Sequence, residues 1–553
     1  VPSPARELRA LEALRATFGG DAADRKLALL RGLGRAQFAR PAQLLRLHEA
    51  LCFLRAYPDD ARVLVEVRRQ LARFERRADA RRHAAALADT GVAGTAIHYR
   101  FFWSTLRWLA ARWPAQLALD VDGDDEALAR LGAALPLLAP AAAADWLRDA
   151  KPAPLYGLER LCGRGRNGVA AGLVALLDAL PGDGATREAF SDALDLGYAL
   201  RPGADTPSRT RAHWPLAPFA FRRAPLVRGR PDLERELERA PNSVRVLSSA
   251  DGRRMLEVAR AAMITRSRDL MAFEYGSPDA VRLVDDGDGL AFAFCGVVPE
   301  RRLLLPAIFG GLMLRNGVPV GYLQIDVLGE HAAVSFNLFE TFRGGEAGYL
   351  FARLLAATRH VYGATRYSIE PYQLGAGNDE AIDSGAWWFY YRFGFRPGVA
   401  RVAALARREA ARARARPGYR SSPATLRELA RAHLYYAPQG GAPRRLPPVA
   451  AALERATARL AAGGGGPAAS AHCETQARRL TGLRTVVGFS RGERLLWQRW
   501  APLLAAAPAI ARWPAAERRA LVRLVRAKGA RDEREFLVRF AAHARLRRLL
   551  GIA

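Results

Sequence analysis

The sequence predicts a multidomain chain of the α plus α/β class. A central mixed sheet with flanking helices is expected between all-helical N- and C-terminal regions. Three observations carry that expectation. The chain has 553 residues, too many for one ordinary hydrophobic core. Apolar residues recur at three- and four-residue spacing up to about residue 202 and again from about 401. Strand-like segments concentrate between 241 and 400.

Taken in order, residues 1–202 read as a helical region. "PAQLLRLHEALCFLRAY" and "DARVLVEVRRQLARFERRADARRHAAALA" are amphipathic, and the "YPDD" between them is a turn whose Asp residues can cap the second helix. Residues 203–235 are rich in Pro and Arg and read as a linker. Residues 236–405 form the α/β unit. In it, "VRLVDDGDGLAFAFCGV" alternates around a Gly-Asp turn, and "LMLRNGVPVGYLQIDV" is a hairpin with Asn316-Gly317 at its tip. Residues 406–470 read as a helical connector, broken by the glycine run "AAGGGGPAAS". Residues 471–553 read as a C-terminal helical region.

Composition narrows the class. Half the residues are hydrophobic and a quarter are charged, which is a globular balance. The net charge of +29 invites a nucleic-acid reading. Only Lys26, Lys151 and Lys528 among the 84 basic residues are Lys, and the Arg residues are spread along the whole chain. A nucleic-acid footprint would be clustered and interleaved with aromatics, so the charge reads as a solvated Arg-rich surface. Cys52, Cys162, Cys295 and Cys473 form no CxxC pair, and no metal is expected. No signal-peptide pattern opens the sequence, so a cytoplasmic location is expected. The first residue is Val, and a trimmed leader stays open. No apolar run reaches the ~20 residues of a membrane span.

The stretch "ETFRGGEAGYLFARLL", residues 340–355, runs from a glycine turn into an apolar helical pattern. Backbone N–H groups at a helix N-terminus offer unpaired donors and a favourable dipole to an anion. With its neighbours, this stretch resembles the GNAT superfamily of acyl-CoA-dependent N-acyltransferases. "LMLRNGVPVGYLQIDV" is similar to that family's second and third strands. "AVSFNLFETFRGGEAGYLFARLLAATRHVYG" is similar to its fourth strand, pyrophosphate loop and following helix. "ATRYSIE" resembles its fifth strand, and "SGAWWFYYRFGFRP" its last helix. The resemblance covers roughly 245–400, under a third of the chain.

The resemblance implies acetyl-CoA or another acyl-CoA as co-substrate and an amine, on a small molecule or a protein, as acceptor. It implies a pyrophosphate loop of Arg343, Gly344, Gly345, Glu346, Ala347 and Gly348, with Glu346 where the family usually has Gly. The thioester would lie against Asn337-Leu338. Tyr390 falls where the family's Tyr protonates the departing thiolate, and Ser384 where it commonly has Asn. The family's usual base position is near Ala332, which cannot titrate, so Glu370 is the candidate base, with Glu340 beside it. Two other readings stay open. One is a non-catalytic scaffold built on a degenerate version of this fold. The other, on charge alone, is a nucleic-acid-associated protein.

Two further motifs have plainer explanations. "GRGRNG", residues 163–168, matches a dinucleotide-binding pattern, but "LYGLERLC" before it reads as helix and not strand. "GFSRG", residues 488–492, matches a nucleophile elbow, with Asp532 and His543 following in hydrolase order. Ser490 and Glu493 fit a capping box better. His472-Cys473 is read as incidental.

Overall fold

The structure is a computed structural model that describes residues 3–163, 168–216, 218–438 and 446–552. It is a mixture of helix and sheet, and among the described residues no helix is long and apolar enough to cross a membrane. The chain divides into two compact units. The first comprises Val1–Leu226, Arg254–Tyr275 and Arg315–Pro319. The second comprises Val227–Arg253, Gly276–Leu314 and Val320–Ala553.

In the first unit, Pro41–Ala56 and Ala61–Arg73 are successive helices. The Asp60 carboxylate accepts the Val63 N–H at 2.9 Å, the cap that "YPDD" predicts. The region before residue 202 is not all helical, however. β1 (Ile97–Tyr99), β2 (Leu117–Leu119) and β3 (Tyr198–Leu200) form an antiparallel sheet with β3 in the middle. Strands of three residues are too short to display a two-residue period, so their sequence carries no strand signal. Leu106, Leu109, Leu131 and Leu173 bury themselves with Tyr198 and Leu200 in this core. The stretch read as a linker also packs: Thr206, Ser208, Thr210 and Trp214 are buried.

The second unit is organised by nine strands. In chain order they are β4 (Ser243–Val246), β5 (Gly276–Gly287), β6 (Leu290–Val297), β7 (Ala307–Arg315), β8 (Val318–Leu328), β9 (His331–Leu338), β10 (Arg366–Ile369), β11 (Arg396–Pro397) and β12 (Leu434–Tyr436). Their order across the sheet is β11-β12-β10-β9-β8-β7-β6-β5-β4. Asn316 and Gly317 take positive φ of 48° and 78° at the β7/β8 tip, as a two-residue hairpin requires. β8 and β9 pair antiparallel, whereas β9 and β10 pair parallel. A parallel step needs a crossover, and the helix Ala347–Tyr362 supplies it. That helix lies on the apolar face of the sheet: Phe351 meets Phe336 edge-on at 5.3 Å, and the Tyr367 hydroxyl donates to Leu355 O at 3.0 Å.

The sheet extends past residue 405. β12 comes from the stretch read as a helical connector and is inserted between β10 and β11. At the other end, the helix Leu233–Glu238 is tied down by Arg353, which is fully buried. Arg353 donates to both Asp286 carboxylate oxygens at 2.8 and 2.6 Å, to Glu236 O at 2.6 Å and to Arg239 O at 2.9 Å.

Candidate functional site at the parting of β9 and β10

Residues 366–368 of β10 pair with 331–333 of β9, and β9 then runs on to Leu338. Past Ala333 the parallel register stops, so the two strands part toward their carboxyl ends. In α/β sheets this is the end where ligands bind. Asn337 and Leu338 close β9 on one side of the opening, and Glu370 follows β10 on the other, where it is exposed and precedes the short helix Pro371–Leu374.

The glycine turn leads from this opening into the helix Ala347–Tyr362. Gly344 has φ 78°, the left-handed conformation that glycine adopts freely, and its Cα faces open space. Ala347, Gly348 and Tyr349 open the helix, so their N–H groups have no partner within it. Arg343 leans back across the turn: its Nε donates to Leu338 O at 3.2 Å, and its guanidinium pairs with Glu380. Gly345 N–H closes the turn on Phe342 O at 3.4 Å. Glu346 is fully buried immediately before the helix, and its side chain does not cap it. Gly348 is crowded: a Cβ there would lie 3.1 Å from Gly229 O, 3.3 Å from Phe393 Cζ and 3.6 Å from Pro231 Cδ. Residues 229–231 therefore lie against the first turn of the helix.

Two predicted residues stand on the helices beyond. Ser384 ends the helix Asp379–Ser384, exposed, and its hydroxyl donates back to Ala381 O at 3.2 Å. Tyr390 is buried on the helix Ala386–Arg392, edge-on to Phe351 at 5.4 Å and beside Phe389 and Phe395. Burial raises its phenol well above the usual range, so the proton is held firmly.

The sheet face opposite the helix Ala347–Tyr362 is polar, and the sequence reading overlooked it. Register sets its members. Gln324 and Asp326 of β8 stand across from Ser335 and Ala333 of β9, and Ser368 of β10 stands across from Ala333 on the other side. Cross-strand partners share a face, so Asp326 and Ser368 flank the Ala333 methyl, roughly 10 Å apart across two strand spacings. Asp326 accepts a hydrogen bond from Gln324 Nε2 at 3.1 Å. Burial, reinforced by the charges of Glu370 and Glu533, pushes its carboxyl up to about 6. Ser368 is fully buried, and its hydroxyl has no hydrogen-bond partner among the described residues. His331, at the other end of β9, is pushed down to about 4 by burial and by His433 and Arg366, and is therefore neutral. Ala332, the position read as the family's usual base site, is buried on the opposite, apolar face. The raised carboxyl of Asp326 is one strand over and on the other face of the sheet. An Asp inside the apolar strand "GYLQIDVL" was the available signal.

The remaining motifs resolve locally. Ser490 accepts the Glu493 N–H at 3.2 Å while Glu493 accepts the Ser490 N–H at 2.8 Å, a complete capping box. No strand precedes it; residues 484–487 are irregular. Asp532 pairs with Arg282, and His543 bonds to Glu517 O at 3.2 Å. His472 bonds to Gln476 at 2.9 Å, and Cys473 is buried. Of "GRGRNG", residues 164–167 lie outside the described residues, and a helix, Pro154–Cys162, precedes them. Among the described residues no group of three or more His, Cys, Asp or Glu could hold a metal ion. No protein-family profile, curated protein or solved structure matches the chain.

Proposed function

We propose that the second unit is an N-acyltransferase that moves an acyl group from an acyl-CoA to an amine. The observation that carries this reading is the parting of β9 and β10, which opens directly onto the glycine turn and the N-terminus of the helix Ala347–Tyr362. The main-chain edge of β9 past Ala333 suits an extended, amide-bearing ligand. The free N–H groups of the first helical turn suit its pyrophosphate. In this reading the thioester carbonyl rests near Asn337-Leu338. The amine nitrogen attacks the carbonyl carbon and the C–S bond breaks; the family resemblance makes Tyr390 the donor to the CoA thiolate, against a burial that holds its proton firmly. The proton lost by the nitrogen reaches Asp326 through water, since Asp326 stands opposite Ala333, roughly 13 Å along β9 from Asn337, and its elevated pKa suits a base working near neutral pH. Glu370 remains the alternative base implied by the family resemblance.

One observation favours a second reading, a non-catalytic scaffold. Arg343 is engaged by Leu338 O and Glu380, and Gly348 is covered by residues 229–231. A pyrophosphate on this turn must displace or share those contacts. Thermal unfolding with millimolar acetyl-, malonyl- and long-chain acyl-CoA separates the two. A ligand that binds only the native state raises Tm. A rise with at least one acyl-CoA supports the enzyme, and no shift with any of them supports the scaffold.

A further inference from the structure

We propose that the first unit holds a separate binding site for a small phosphate-bearing molecule, where Arg55 and Arg68 converge. Arg55 stands on the helix Pro41–Ala56 and Arg68 on the helix Ala61–Arg73, and a cleft of about 250 Å³ opens between the two side chains and residues 210–211. Arg211 also reaches the wall, but it is paired with Glu75, so those two charges cancel. Arg55 and Arg68 have no such partner. Arg55 is buried, and its guanidinium donates to three main-chain carbonyls: Thr210 O at 2.6 Å, Arg209 O at 3.1 Å and Ala212 O at 3.3 Å. Those carbonyls fix the fork in place and do not neutralise its charge. Arg68 is exposed and lies 5.3 Å over the Phe219 ring. Among the described residues neither guanidinium is paired with a carboxylate.

The surrounding charges leave this pair unbalanced. Glu49, on the same helix as Arg55, is already engaged by Arg209 at 3.1 Å and by His48 at 3.6 Å. Burial lowers the Arg55 guanidinium from its usual range, and the Arg68 charge lowers it further, against the Cys52 thiol, which raises it. His213 is pushed down to about 4 by burial and by Arg55 and Arg68 together, so it adds no charge at neutral pH. Two like charges thus act on each other and on one imidazole with no carboxylate between them. A buried cation is costly unless it is paired, and an anion that meets both guanidiniums removes their repulsion. Two fixed cations match two negative charges carried on one centre. A phosphomonoester supplies about −1.5 to −2 at neutral pH with three acceptor oxygens, which a guanidinium fork fits, whereas a carboxylate supplies a single charge. Leu71 and Ala93 give the cleft an apolar wall for a short carbon tail. The volume is below that of a drug-sized pocket, so it suits phosphate with a few carbons and not a polymer.

The same chemistry could come from free phosphate or from the phosphate ester of a small alcohol. Isothermal titration of the whole chain with inorganic phosphate and with glycerol 3-phosphate distinguishes them. Acetate and glycerol serve as the monovalent and neutral controls. Saturable binding of at least one phosphate, tenfold or more tighter than acetate, is expected. Arg68→Gln, at an exposed position, should weaken it at least fivefold while leaving Tm within a degree or two. In the wild-type chain the bound phosphate should slow modification of Arg68 by phenylglyoxal at least threefold, read by peptide mass spectrometry, which needs no variant. The proposal is overturned by no saturable binding of either phosphate at millimolar concentration, or by acetate binding as tightly. Affinity unchanged in a folded Arg68→Gln chain, or Arg68 left unprotected, overturns it as well. So does binding of single-stranded oligonucleotides with neither small phosphate bound.

Discussion

Gly348 faces the carbonyl oxygen of Gly229: a Cβ on Gly348 would stand 3.1 Å from that oxygen. The side chain missing from one segment thus makes room for the backbone of another. Gly348→Ala should push residues 229–231 outward and cost roughly 1 kcal/mol of stability. Trypsin should then cut after Arg228 faster than in the wild type. Unchanged cleavage would mean that the segment yields without loosening.

Asp326 gives the proposed enzyme a pH signature. With its carboxyl raised to about 6, the basic form appears as pH climbs through that value. The rate of acyl transfer should rise with a midpoint near pH 6, and Asp326→Asn should lower the rate about 10²–10⁴-fold and abolish the acid limb. A limb that survives in Asp326→Asn assigns the base to Glu370 or another group.

The same carboxyl links stability to pH. Its folded pKa lies above the unfolded value, so its stabilising contribution is full below about pH 4 and is lost as pH rises through about 6. At pH 7 it is a buried charge that opposes folding. Asp326→Asn should therefore stabilise the chain at pH 7, by about 1–3 kcal/mol, and do little at pH 4. Denaturant unfolding at the two pH values measures this.

Arg353 should be the least replaceable charged residue of the second unit. Its loss leaves buried Asp286 to the longer Arg239 contact at 3.5 Å, with two backbone carbonyls also deprived of their donor. Arg353→Met should cost about 3–5 kcal/mol. Arg353→Met with Asp286→Leu should recover part of that in equilibrium unfolding, because the poorly paired charge is then gone.

A fragment of residues 236–405 should fail to fold cooperatively. It would lack β12, leaving β10 with a bare edge where Ser368 and Tyr435 now pair. Broad thermal unfolding or aggregation is expected. A sharp transition would show β12 to be dispensable.

What the sequence disclosed is what short-range chemistry controls. The Asp60 cap, the Asn316-Gly317 turn and the Ser490–Glu493 capping box each depend on residues within four positions of one another. The crossover from β9 through the helix Ala347–Tyr362 to β10 was legible too, because its apolar periods are long. The polar face was not. Asp326 and Ser368 are 42 positions apart and meet only through two strand registers, which no local pattern encodes. The insertion of β12 ahead of β11 was hidden for the same reason. β1, β2 and β3 were hidden by their brevity.

The division into two units has a consequence for how the protein is made. The chain crosses between them at 226/227, 253/254, 275/276, 314/315 and 319/320. The first unit is therefore unfinished when its first 226 residues have left the ribosome. It waits for Arg254–Tyr275 and then for the five residues of a hairpin tip encoded far downstream. At about 5–20 residues per second, the interval from residue 226 to 319 is roughly 5–20 s during which an N-terminal half with exposed apolar surface must be kept from aggregating. A gene for this protein cannot be assembled by joining two independent cassettes, and a nascent chain stalled before residue 319 should be a chaperone client.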